Sequence, residues 1–159
     1  MLELGKAGTH GLPKGVLPVL RDGSIVATMR SATWTEAATV DVAGSTWEYA
    51  RRKRELTGRR SGDPDGAARL RARQTSAWKG SWEIDVEGGT VEVRPASRWK
   101  GTHRFLLHGR QVAESGTTPG WMPRATITVD GELPVEQQVF LLWWEHVIRR
   151  RAAAAAGAA

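Results

Sequence analysis

Apolar and polar residues alternate along most of this chain, and then near its end they stop alternating. In Trp82-Glu83-Ile84-Asp85-Val86 every second side chain is apolar; Val91 and Val93 continue the pattern beyond a Gly-Gly pair, and Ala125, Ile127 and Val129 repeat it later. A period of two puts one face of an extended strand against a core and the other in water, as in antiparallel sheets. Glycines suited to tight turns punctuate these runs at Asp22-Gly23, Ala43-Gly44, Asp65-Gly66, Gly88-Gly89, His108-Gly109 and Asp130-Gly131, with gaps of 21, 22, 23, 20 and 22 residues. Each glycine can supply the positive φ that a hairpin turn demands. A weak repeat runs at the same interval: Trp78-Lys79-Gly80-Ser81 returns as Trp99-Lys100-Gly101-Thr102, and Trp121 follows. The interval is that of a hairpin, too irregular for propeller blades, and predicts a meander of successive hairpins. Five hairpins and a strand over Arg124 to Val129 give eleven strands, and Leu2 to Lys6 supplies a twelfth. Loops are expected over Gly5 to Gly15, Arg60 to Gly66 and Ser115 to Pro123, where Gly, Pro, Ser and Thr concentrate.

The pattern changes at Leu133. From there to Arg151 the chain reads LPVEQQVFLLWWEHVIRRR, and between Val139 and Ile148 only Glu145 and His146 are polar. Pro134 suits a first helical position, Glu136 falls in the first turn, and Arg149 to Arg151 lie where the helix dipole favours cations. A helix apolar on all sides belongs inside something. The six consecutive apolar residues Val139 to Trp144 are far short of the roughly 20 that a membrane span needs. A ten-residue helix covers about 15 Å, the height of a wall of short strands. Val139, Phe140, Leu141, Leu142, Trp143, Trp144, Val147 and Ile148 are therefore predicted to plug a barrel. Their burial contributes on the order of 15 to 20 kcal/mol before ordering costs. Glu145 and His146 are expected to sit toward one end or to pair with polar groups of the barrel. The chain is read as one domain over residues 1–151, and Ala152 to Ala159, which offers nothing to pack, as a disordered or frayed tail.

With these features in hand, the chain resembles the tubby-like superfamily. The residues that carry the likeness are the Gly-turned hairpins, Ser97-Arg98-Trp99 before a strand, and the Leu133-Pro134 start of a closing Val-Phe-Leu-Leu-Trp helix followed by Arg. Within the superfamily it is most similar to bacterial relatives of the LURP-one-related and phospholipid scramblase proteins, over roughly Val16 to Arg151. The resemblance implies a mainly β fold: a closed antiparallel barrel of about twelve strands around a central hydrophobic C-terminal helix. It also implies action at membranes. The chain departs from the scramblases in having no Cys and no matching run of acidic calcium ligands, so calcium-dependent lipid transport is not implied. Tubby proteins bind phosphoinositides through basic surface residues, but no motif here transfers those positions one by one.

Charge supplies the candidate chemistry. The formal net charge is +6, yet Arg51 to Lys79 alone holds ten Lys or Arg against Glu55, Asp63 and Asp65. Arg69, Arg71 and Arg73 recur at period two and should share the outer face of a strand, with Ala68, Leu70 and Ala72 inward. Arg51, Arg52, Lys53, Arg54, Arg59 and Arg60 are expected to approach them across the intervening loop. Arg suits bidentate phosphate contact, and cations near an anionic bilayer gain about 1 kcal/mol each. This basic face is the predicted anionic-ligand site, set against the plainer reading of a solvated wall. Anionic membrane lipid is the leading partner; an acidic protein is the second, and nucleic acid the third, since Trp47 and Trp82 alternate with polar neighbours like interior residues and offer little for base stacking.

Catalysis has little to build on. Glu83 and Asp85 are predicted to point to solvent, and His103 and His108 to opposite strand faces, which is wrong for a shared metal. No Ser-His-acid arrangement is ordered by spacing, and no Gly pair precedes a helix as a phosphate-binding loop does. The absence of Cys excludes disulfides, thiolate sites and cysteine nucleophiles. The expectation is a non-enzymatic, cofactor-free module without a transmembrane span. The first residues, MLELGKAGTH, resemble neither a signal peptide nor a myristoylation site, so the expected location is cytoplasmic, peripheral to the membrane.

Overall fold

The computed structural model describes residues 1–32 and 34–157. Twelve strands close into one antiparallel barrel: β1 (Leu2–Leu4), β2 (Val16–Arg21), β3 (Ser24–Ser31), β4 (Ala38–Val42), β5 (Ser45–Arg52), β6 (Glu55–Arg60), β7 (Leu70–Ser76), β8 (Ser81–Val86), β9 (Gly89–Ser97), β10 (Thr102–Leu107), β11 (Arg110–Thr117) and β12 (Ala125–Val129). Each strand pairs with its sequence neighbours, and β1 closes the ring by pairing with β2 on one side and β12 on the other, Leu4 opposite Val19 and Leu2 opposite Ile127. The short N-terminal strand thus removes the two free edges that an eleven-stranded sheet would expose.

Alternation decides which side chains face in. Trp47, Tyr49, Leu56, Leu70, Ala72, Trp82, Ile84, Val91, Val93 and Phe105 are buried, and the residues between them on each strand face water. Positive φ at Asp22-Gly23 (50° and 80°), Ala43-Gly44 (50° and 74°) and His108-Gly109 (51° and 76°) gives the two-residue turns that twisted hairpins require. Gly66 and Gly131, expected to turn in the same way, instead lie in longer connections, residues 61–69 and 130–134. The predicted loop over Ser115 to Pro123 is shorter than expected, because β11 continues to Thr117.

The helix α1 (Val135–Gly157) runs through the barrel. Residues 139–145 are buried on every side, Val147 is buried, and Ile148 is half-buried against the same core. Aromatic rings from wall and helix interlock: Tyr49 meets Phe140 edge-on at 5.1 Å and Trp143 at 5.0 Å, and Trp144 meets Trp82 at 5.5 Å and Phe105 at 5.8 Å. Gly58 makes room for this cluster, since a Cβ there would lie 3.1 Å from the Tyr49 ring and 3.2 Å from Phe140. The helix also outlasts its expected end at Arg151. Ala152 to Gly157 are helical and exposed, because Ala is the strongest helix former and can prolong a helix already nucleated by packing. Residues 158 and 159 of the predicted tail lie outside the described residues.

Candidate functional site

Strand alternation splits the predicted basic face. Arg51 follows Trp47 and Tyr49 in phase and turns toward the mouth of the barrel beside the helix C-terminus, in a cleft with Trp34, Glu36, Arg150 and Arg151. Arg60, in phase with Leu56 and Gly58, turns in at the opposite mouth and lies 5.5 Å over the Trp47 ring. The remaining arginines of β5, β6 and β7 point outward, where acids meet them. Arg71 pairs with Glu55 (3.3 Å), Arg73 with Glu83 (3.2 Å) and Asp85 (3.3 Å), and Arg69 with Asp63 and Glu87 (both 3.3 Å). The loop of residues 61–69 folds back along the wall, so that Asp65 reaches Arg52 (3.3 Å) and Arg59 (3.5 Å). Arg69, Arg71 and Arg73 do share an outer face, as expected, but that face is a ladder of mixed charge. The β5–β6 turn residues Lys53 and Arg54 stand apart from it.

Counting charge by barrel end gives a different picture. In an up-and-down barrel alternate connections lie at the same end. One end carries residues 5–15, 32–37, 53–54, 77–80, 98–101 and 118–124, and there the helix C-terminus emerges. Hydrogen bonds from Arg149 to the Gly101 and Gly116 carbonyls (3.2 and 3.4 Å) and the Arg151–Glu36 pair (2.6 and 2.7 Å) tie the helix to this rim. Together with Arg149 to Arg151, these connections hold eleven Lys or Arg and one acid, Glu36. Among the described residues Lys6, Lys14, Lys53, Arg54, Lys79, Arg98, Lys100 and Arg150 have no salt-bridge partner. The connections at the other end, with the first helical turn, hold seven acids, of which Asp65 is carried back along the wall, and one arginine, Arg69. The molecule is polarised along its barrel axis.

The eight tryptophans divide in the same way. Trp47, Trp82, Trp143 and Trp144 are interior, the first two as expected from alternation. Trp34, Trp78, Trp99 and Trp121 are 95, 89, 97 and 95% exposed, and all four stand on connections at the basic end. The interior placement expected of Trp47 and Trp82 does not extend to these four, which fall in turns, out of phase with any strand.

Beneath the rim lies the pairing of the helix's polar residues. Glu145 is fully buried, with Oε2 2.9 Å from His103 Nδ1 and Oε1 3.0 Å from Arg149 Nε. The bond to His103 needs its proton on Nδ1, since a carboxylate only accepts. His103 lies two residues before buried Phe105 in unbroken register with β9 and so faces inward, where its ring also meets Trp144 at 5.0 Å; His108 sits at the far turn. Beside this triad a cleft of about 360 Å3 opens at the rim between Pro95, Arg98, Thr102, Ile148 and Arg149. Burial and the Arg150 charge push the His146 imidazole down to about 4. The Arg151 guanidinium, hydrogen-bonded to Glu36, holds that carboxyl below its usual range. Glu83 and Asp85 are spent on Arg73, and among the described residues no group of three or more His, Asp or Glu is placed to hold a metal ion.

No family model matches the chain, and neither the curated proteins nor the solved structures compared with it provide a match.

Proposed function

We propose that this protein is a non-enzymatic module that binds anionic membrane lipid through the basic end of its barrel. The observation that carries the reading is the ring of Lys and Arg around the mouth where the helix emerges, opposed by an acidic far end. Five of the six connections at that mouth supply a cation, so the charge encircles this end of the barrel. A planar anionic surface engages such a ring all at once, whereas a nucleic-acid strand needs a continuous groove. Eight cations without acidic partners, at about 1 kcal/mol each near a charged bilayer, give ample binding free energy even when only half of them approach it. The polarised barrel also orients itself in the field of the membrane before contact. The tubby-like resemblance, whose members act at membranes, points the same way. The outer wall, with charged residues such as Arg71, Arg73, Glu83 and Asp85, is unlike the apolar band of a barrel that spans a bilayer, and among the described residues no helix is long and apolar enough to cross one.

Vesicle co-sedimentation tests the reading. Phosphatidylglycerol or phosphoinositide vesicles should pull down the protein, pure phosphatidylcholine should not, and binding should weaken as salt rises. Equal binding to neutral and anionic vesicles overturns it. Retention by an acidic protein, or steeply salt-dependent gel shifts with nucleic acid, in place of vesicle binding would transfer the ring to one of the other two partners.

A further inference from the structure

The four exposed tryptophans add something that charge alone does not require. Large apolar side chains scattered singly over a surface are ordinary, whereas several gathered at one end of a molecule mark an interaction site. Here Trp34, Trp78, Trp99 and Trp121 stand on four of the six connections at one end of the barrel, with Met122, 72% exposed, beside the last. Of the exposed large apolar residues among the described ones, only Ile25 and Met1 lie elsewhere.

Two of these tryptophans are held out by the same device used twice. In the turn of residues 77–80 the Ser76 hydroxyl accepts from the Lys79 N–H at 3.1 Å, and Gly80 takes φ +66°. In the turn of residues 98–101 the Ser97 hydroxyl accepts from the Lys100 N–H at 3.2 Å, and Gly101 takes φ +62°. Each turn thereby offers an indole followed by an ammonium. The two turns stand two strands apart on the rim, about 10 Å. Indole with a cation next to it is the pairing enriched where a protein meets the headgroup layer: the ring sits at the boundary of the acyl chains while Lys reaches back to phosphate.

We propose that this end is a lipid-inserting crown: Trp34, Trp78, Trp99 and Trp121, with Met122, embed at the headgroup–acyl boundary, and the surrounding Lys and Arg hold lipid phosphates. The barrel then docks end-on, with its helix C-terminus toward the bilayer and its acidic end away from it. The inference rests on the anionic-lipid reading and adds insertion and orientation to it. Other occupants fit the same surface less well. Two copies rim to rim would bring like charges together, and the acidic end of a second copy offers little apolar surface to receive four indoles. For a single-stranded nucleic acid the indoles are spread over separate loops around a ring, where successive bases of one strand do not reach them.

Indole fluorescence distinguishes insertion from surface attraction. The full-length protein is mixed with phosphatidylglycerol/phosphatidylcholine vesicles, with or without phosphatidylcholine brominated near the top of its acyl chains. Insertion predicts a blue shift and strong quenching by the brominated lipid. The variant W34A/W78A/W99A/W121A should keep its fold, shown by an unchanged urea midpoint, because these side chains touch little. It should lose the blue shift and the quenching and partition roughly 100-fold more weakly. If the native protein binds anionic vesicles with neither shift nor quenching, or the quadruple variant binds as well as the native protein, insertion is wrong and the anionic-lipid reading stands alone. If no vesicle composition binds the native protein, both fall together.

Discussion

The triad of Glu145, Arg149 and His103 gives the most demanding test of how the helix is seated. Glu145 has no exposed surface, whereas the Arg149 side chain is one-quarter exposed and also donates to the Gly101 and Gly116 carbonyls. The two partners are therefore unequal. Removing Arg149 strands a carboxylate in the core with only His103 at 2.9 Å; removing the Glu145 charge leaves a guanidinium that keeps two carbonyls and some water. The Arg149 Nε and Glu145 Oε1, 3.0 Å apart, are an ion pair without good hydrogen-bond alignment, since neither atom has a hydrogen-bond partner. Two unit charges about 3 Å apart attract by about 5 kcal/mol at the effective dielectric of a protein site, and desolvation offsets most of it. Arg149→Met should thus cost about 3 kcal/mol, Glu145→Gln about 1 kcal/mol, and the double substitution less than Arg149→Met alone. Equilibrium urea unfolding, followed by the buried indoles, measures all three. Equal costs for the two single variants, or a double variant that shows their plain sum, would refute the idea that this pair sets the depth and rotation of the helix.

Other consequences follow from single features of the structure. Gly58→Ala places a methyl group 3.1 Å from Tyr49 and 3.2 Å from Phe140, and should lower stability by about 1 to 3 kcal/mol, read by the same unfolding curve; an unchanged midpoint would mean that the aromatic cluster repacks freely. His146, whose folded pKa of about 4 lies below its ordinary value of 6.5, binds its proton more readily when unfolded. Its contribution is complete above pH 6.5 and drains away as the pH falls toward 4, an effect on the order of 2 to 3 kcal/mol. Thermal melts between pH 7 and 4.5, above most carboxylate titration, should show this slope in the native protein and a flatter one in His146→Gln. Glu36, whose carboxyl is held low by Arg151, acts in the adjoining window: its contribution is present above its ordinary value of 4.5 and is lost as the pH falls through the lower folded value. Glu36→Gln should therefore lose stability near neutral pH and lose less of it than the native protein on acidification below 4.5, again read by melting.

Most of the fold was legible because alternation and turn chemistry are local. Trp82-Glu83-Ile84-Asp85-Val86 states which face is buried, the recurring glycines mark one end of each hairpin pair, and a run with no polar side needs an enclosure. The twelfth strand was legible only as a remainder after counting, but Leu2–Leu4 does close the ring. Charge partners are not legible in the same way, for a physical reason. Counting along Arg51 to Lys79 treats neighbours in sequence as neighbours in space, but on a sheet the partners of Arg73 are Glu83 and Asp85 from the next strand. Summing charge over alternate connections, which a meander already permits, separates the basic and acidic ends from sequence alone. The rim tryptophans had a signal too. Trp47 and Trp82 fall in phase with strand alternation, whereas Trp78 and Trp99 precede Lys-Gly in a turn and Trp121 sits between Gly120 and Met122-Pro123. Alternation with Phe105 places His103 on the inner face, but its contact with Glu145 depends on the depth of a helix 42 residues away, which nothing local announces.

The claim that the rim and not the wall meets the membrane is open to one direct comparison. Charge removal at the rim (Lys53→Gln, Arg54→Gln, Lys79→Gln, Arg98→Gln and Lys100→Gln together) is set against charge removal on the wall (Arg69→Gln, Arg71→Gln and Arg73→Gln together), with partition onto phosphatidylglycerol vesicles measured for each folded protein. The rim variant should lose most of its binding, on the order of 100-fold or more if three of its five cations each supply about 1 kcal/mol, while the wall variant stays within about threefold of the native protein because its arginines are already paired. Loss of binding in the wall variant with the rim variant unaffected would contradict the account.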